Sequence, residues 1–393
     1  MDNNPPTDNE LDPLYRDVFK DPENGTPDNI TQAGCLALAR LGKEAWNAWR
    51  RKYWTLCDKD EDLFIKWENT ADFSGFDFRE ESIDFQEFVF GHGARFDETQ
   101  FGHSAYFCGT QFGDSTSFGG ARFGDFACFD GAQFVNNASF HVAKFGNDAR
   151  FSGTQFSNRA KFTGAQFGND ASFAGAQFGD DASFVWAKFG DYACFSGAQF
   201  GDSASFNIAQ FGDDASFVTL NWASLTNWYK YRPGGLEAAK AWAEAQGLSP
   251  ETFKSISFDG ADFAGQVDFS GRAFEGRTSF GCLTEQMKVR RCDHGNIVEK
   301  VLPKGQQVVF GKAPLFHNCK LHQDTTFYGA KFPKPSTDPT KNDTAARAYR
   351  TLKLAFAQQQ ATRDEQFFSG RRWPRRRHTL QIVSAGCLAF TKR

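Results

Sequence analysis

The chain has 393 residues, 46 of them Phe against only 2 Met, and a formal net charge of −4. It contains no run of about eighteen apolar residues, which excludes a membrane-spanning helix of ordinary hydropathy. Nine Cys, an odd number at scattered spacings, point to reduced thiols in a cytoplasmic protein, and the polar start Met1-Asp2-Asn3-Asn4-Pro5-Pro6 does not read as a signal peptide.

Charge is spread unevenly. Residues 1–93 carry 10 positive and 20 negative side chains, 94–217 carry 7 and 13, 218–340 carry 15 and 12, and 341–393 carry 12 and 3. Residues 1–28, rich in Asn, Asp and Pro, are expected to be a disordered acidic terminus. Residues 29–66 form the next region. Between Thr31 and Trp54 the apolar positions Leu36, Leu38, Leu41, Ala45, Trp46, Trp49 and Tyr53 recur at three and four, the period of an amphipathic helix.

A repeat follows over residues 67–332, opened by Trp67, Phe73 and Phe78. From Ala94 to Phe217 it runs in unbroken register: Phe96, Phe101, Phe107, Phe112, Phe118 and Phe123 begin the series, and Phe162, Phe167, Phe173, Phe178, Phe184 and Phe189 continue it. Steps alternate five and six, so the repeat is eleven, as in Ala176 to Trp186. A helix would place Phe five apart about 140° apart and form no single face. A strand puts Ala182 and Phe184 on one side, yet the odd step to Phe189 would flip the face. The chain must therefore turn between one Ala-x-Phe triplet and the next. The glycines after Phe, such as Gly113, Gly124, Gly146, Gly168, Gly179, Gly190, Gly201 and Gly212, are expected to supply that turn through φ > 0. Short sides joined by tight corners describe a solenoid.

Four sides, 22 residues per coil, sort the outward residues into columns. Gln111, Gln133, Gln155, Gln177 and Gln199 form one, suited to an amide ladder, and Gln100, Arg122, Lys144, Gln166, Lys188 and Gln210 form the opposite one. A coil of only eleven residues would leave no room inside for Phe. About nine coils make a rod of ~45 Å.

These units resemble pentapeptide-repeat proteins. The resemblance implies an all-β solenoid, a right-handed quadrilateral parallel β-helix whose central residue and the one two before it point inward. Phe at the centre and every second unit lengthened to six depart from the family's commonest Leu-centred, five-residue pattern, and imply wider coils or corner bulges. The helix around Gly42–Arg50 looks like the cap often found ahead of such repeats; binding a partner is its other reading.

Two interruptions are expected. Residues 218–257 include a short helix over Leu236 to Gln246, with Gly247 and Pro250 ending it. Residues 281–309 read as a β-hairpin, with strands Met287–Cys292 and Ile297–Leu302. Beyond Pro333, residues 333–370 look like a second capping helix, a candidate homodimer contact. Residues 371–393 form a basic tail with Arg371, Arg372, Arg375, Arg376 and Arg377.

No nucleophile–base pair, phosphate loop or paired carboxylates stand out, so no enzymatic activity is expected, and no cofactor. Cys282, Cys292, His294, His317, Cys319 and His322 cluster around the hairpin, but their spacing fits no standard zinc site, and no metal is expected. The leading expectation is a non-enzymatic scaffold, a rigid rod binding another protein through its flat faces or its hairpin, where Arg290 and Arg291 lie. Two alternatives remain. Part of the resembled family imitates duplex DNA and binds type II topoisomerases, and the Arg-rich tail could hold the chain at a membrane surface. No nucleic-acid partner is expected.

Overall fold

The computed structural model describes residues 31–57, 71–81, 83–225, 229, 234–283, 287–293, 296–302, 304–322, 324–333 and 352. The repeat coils as a parallel β-solenoid. Each side of a coil is a two-residue strand or a single bridge, hydrogen-bonded in the regular stretch to its equivalent 22 residues on. Nine strands stack in one sheet, from Asp77–Phe78 to Val309–Phe310. In chain order, the first face carries the Gln100 column and the second runs through Tyr106, Cys128, Arg150, Ser172 and Cys194. The third carries the Gln111 column, and the fourth runs through Arg95, Ser117, Ser139, Lys161 and Ser183.

Phe and the small residue two before it point inward on all four sides. All twelve Phe singled out from the sequence are buried. Rings one coil apart lie flat on each other, as in Phe118 and Phe140 at 4.9 Å and 1°. Rings across the shaft meet edge to face, as in Phe129 and Phe140 at 5.6 Å and 89°. Both arrangements suit the ring quadrupole, worth about 0.5–1.5 kcal/mol per pair beyond burial.

The alternating steps make two kinds of corner. A five-residue step turns on one left-handed residue, such as Gly131 or Gly153. A six-residue step inserts Gly-Asx first and turns on the residue after it. The corner glycines therefore differ from expectation: at Gly113, Gly124, Gly146 and their equivalents, the left-handed residue lies two positions further on, at Ser115, Phe126 and Asp148. Glycine is needed there for want of space. A Cβ on Gly168 would lie 2.6 Å from Asn147 Oδ1 and 2.7 Å from the backbone of Gly146. The extra residues fall at diagonally opposite corners, so the coil bulges there.

Two helices cover the first coil. α1 (Gln32–Arg40) starts at Thr31, whose hydroxyl accepts from Gly34 N; α2 is Lys43–Cys57. Trp46 is fully buried against Phe73, Phe88 and Phe90. The Asn47 side chain accepts from Val89 N at 2.8 Å and donates to Glu87 O at 2.9 Å, standing in for the strand that an open sheet edge lacks.

Both interruptions leave the rod at five-residue corners. The first carries α3 (Trp222–Leu225) and α4 (Gly235–Ala245) between the second and third faces. Its return is secured by Arg272, which occupies an inward position that holds Ala or Thr throughout the regular stretch from Ala94 to Phe217. Arg272 is fully buried and donates to the carbonyls of Phe195, Phe217 and Pro250, with Phe253 under its guanidinium. Burial pushes it down to about 9, while three carbonyl partners favour the charged form. The second interruption is an antiparallel pair, Met287–Asp293 with Asn296–Leu302, between the fourth and first faces. The expected C-terminal helix lies outside the described residues apart from Leu352, which is buried in the core.

One thiol reading is corrected. Cys108 and Cys128 are joined as a disulfide with Cα atoms 5.7 Å apart, so the cysteines are not all reduced. A corner residue lies against the face residue 20 positions later, because the next coil returns beneath it. Ser152 meets Ser172 and Ser196 meets Ser216 in the same way.

Candidate interaction face

The four faces differ in what covers them. On the third, the glutamines stack in register, yet the upper part of the column is enclosed. Gln155, Gln177 and Gln199 are buried. Gln177 Nε2 donates to Ala239 O of α4 at 3.1 Å, and Tyr229 Oη reaches Gly175 O. Among the described residues the buried Gln199 amide has no hydrogen-bond partner, so the described column is not a continuous amide ladder at its upper end.

The Asx corner columns are structural. Each Oδ1 accepts the backbone N–H of its equivalent one coil on: Asp125 from Asn147, Asn147 from Asn169, Asn169 from Asp191 and Asp191 from Asp213. His92 and His103 do the same through Nδ1 for Asp114 and Asp125. These side chains carry the backbone bonds the corner would otherwise lack. The left-handed residues beside one such column point outward and make an edge of Phe126, Asp148, Asp170, Tyr192 and Asp214, with the aromatic pair 53% and 55% exposed.

The edge between the fourth and first faces is different. Most five-residue corners turn on glycine, as this one does at Gly120, Gly164 and Gly260, but in other coils it turns on Val142, Trp186 and Ile208 at φ of 50°, 60° and 60°. A left-handed conformation costs roughly 1–2 kcal/mol for a residue with a Cβ, and bulky or β-branched residues rarely adopt it. Trp186 lies over Gly164, 3.4 Å from where a Cβ would stand. Val185 and Ile208 pack with Leu283 at the root of the hairpin.

The first face lies between these two edges. Its outward column runs Gln100, Arg122, Lys144, Gln166, Lys188 and Gln210, paired in register. Arg122 and Lys188 are exposed, Lys144 and Gln166 half-buried.

The other sequence candidates are dispersed. Arg290 and Arg291 lie on a hairpin strand opposite Glu299 and Val298. Arg371, Arg372, Arg375, Arg376 and Arg377 lie outside the described residues. Of the Cys/His set, Cys319 points inward, donating to Phe269 O at 3.0 Å with its thiol pushed up to about 12 by burial. His322 accepts from Asp324 N. Among the described residues no group of three or more His, Cys, Asp or Glu side chains is placed to hold a metal, and no helix is long and apolar enough to cross a membrane.

A coil of two-residue strands with an aromatic shaft and polar faces is a repeat scaffold. A family model described as pentapeptide repeats (9 copies) matches residues 140–185, which supports reading the solenoid as a pentapeptide-repeat structure. No curated protein and no solved structure matches it.

Proposed function

We propose that this protein is a non-enzymatic scaffold that binds another protein, with the hairpin and the adjacent first face as its contact surfaces. The observation that carries the reading is the hairpin's seat. Val142, Trp186 and Ile208 hold a strained backbone on the outside of the rod, and Val185 and Ile208 pack against Leu283, where the hairpin begins. Strain of this kind persists where the surrounding structure enforces it, and it clusters at functional sites. Pentapeptide-repeat solenoids are in general structural or interaction scaffolds, which agrees. Arg122, Lys144 and Lys188 interrupt the negative surface that imitation of DNA requires, which weighs against a topoisomerase partner. The test is a pull-down comparing the full chain with one lacking Thr284–Val308. Loss of specific partners is the expected result; an unchanged partner set removes the hairpin from the reading.

A further inference from the structure

We infer that the first face is a docking strip for an acidic α-helix of a partner protein, running along the rod over Arg122, Lys144 and Lys188. This rests on the scaffold reading and names the chemistry of one of its surfaces. Several other basic side chains of the rod have carboxylates at hand although, among the described residues, Lys161 on the fourth face does not. Arg95 lies near Asp72 and Asp97, Arg150 on Asp130, and Arg159 near Asp181. Among the described residues, Arg122, Lys144 and Lys188 have no such partner. Arg122 and Lys144 are also direct neighbours on adjacent strands, where like charges repel. Glutamine fills the same column at 100, 166 and 210, so the geometry does not demand a cation. The repulsion is local, and an external anion would relieve it.

The neighbouring edge selects the kind of anion. Asp148, Asp170, Asp191 and Asp214 flank the strip, and a continuous polyanion such as duplex DNA, with one charge per about 1.7 Å of axis, would meet them. A protein helix carries discrete charges and can turn its acidic stripe to the cations alone. Its turn of about 5.4 Å nearly matches the coil rise of about 4.8 Å. Carboxylates at i, i+4 and i+11 then fall near Arg122, Lys144 and Lys188, within side-chain reach, and a polar residue at i+7 meets Gln166. Trp186, on the opposite edge, offers an apolar flank.

The test uses the full chain and a labelled helical peptide of about five turns, with Glu at i, i+4, i+7 and i+11. Its control is an isomer of identical composition with the Glu spread around the helix. Fluorescence anisotropy is expected to show salt-sensitive binding of the first peptide. Binding should be at least about tenfold weaker, ~1.4 kcal/mol, for the isomer and for R122Q/K144Q/K188Q. Because that variant only extends the glutamine column, its unfolding midpoint should not fall, which separates lost binding from lost fold. Equal binding of the two peptides, equal binding by wild type and variant, absence of binding, or duplex DNA bound tightly through the same three residues would each overturn the proposal. Peptide failure with a hairpin-dependent partner set intact would remove this face alone and leave the scaffold reading standing.

Discussion

At Gly168 a methyl group would lie 2.6 Å from Asn147 Oδ1, whereas Tyr192 holds a left-handed backbone at φ 62° with its ring 55% exposed. The usual preference is thus reversed at both positions. Gly168→Ala is expected to lose about 1–3 kcal/mol to overpacking, and Tyr192→Gly to gain up to about 1 kcal/mol by relieving strain, both read by chemical denaturation. The sequence does not separate these cases, because glycine answers two needs, a positive φ and the lack of a Cβ, and its identity says only that one applies. The Phe register was legible for the opposite reason: spacing counted along the chain becomes spacing around the coil when every side buries the same residue. Arg272 was not legible, since the three carbonyls that make it useful belong to Phe195, Phe217 and Pro250, two of them more than fifty positions earlier in the chain.

Stacked sides make each coil depend on the two beside it. Phe162→Ala should cost about 3–5 kcal/mol, and in a structure of nearest-neighbour contacts its effect on hydrogen exchange should be concentrated in the flanking coils. The Cys108–Cys128 link closes a 20-residue segment, for which loop entropy gives about 3 kcal/mol. Reduction should lower the unfolding midpoint of the wild type and leave Cys108→Ser/Cys128→Ser unmoved. Pairs twenty apart at Ser152/Ser172 and Ser196/Ser216 were the signal that could have predicted the link. At the N-terminal helices, Arg40 bonds Glu81 and holds its carboxyl below the ordinary 4.5. A lowered carboxyl contributes stability above its unfolded pKa and loses it as pH falls. Exchange protection in α1 should therefore weaken below about pH 4.5 before the Phe shaft responds. The enclosure of Gln177 and Gln199 by α4 escaped the sequence because a chain that leaves a periodic rod carries no register to say where it lands.

For the molecule as a whole, the faces differ in cover and charge although the shaft is uniform. One is covered by an insertion, one carries cations with no carboxylate partner among the described residues, and the edge between the fourth and first faces seats the hairpin. If imitation of DNA were its role, a type II topoisomerase would be inhibited; the cations of the first face lead us to expect no inhibition in a supercoiling assay at micromolar excess. The opposite placement of the two Gly-Asx corners has a further consequence. Every eleven residues the interior returns to an equivalent state, rotated half a revolution about the rod axis. A duplication or loss of one eleven-residue unit would keep aromatic packing and corner chemistry intact while exchanging which surfaces lie above one another. Such a chain could re-aim what it displays without redesigning what holds it together.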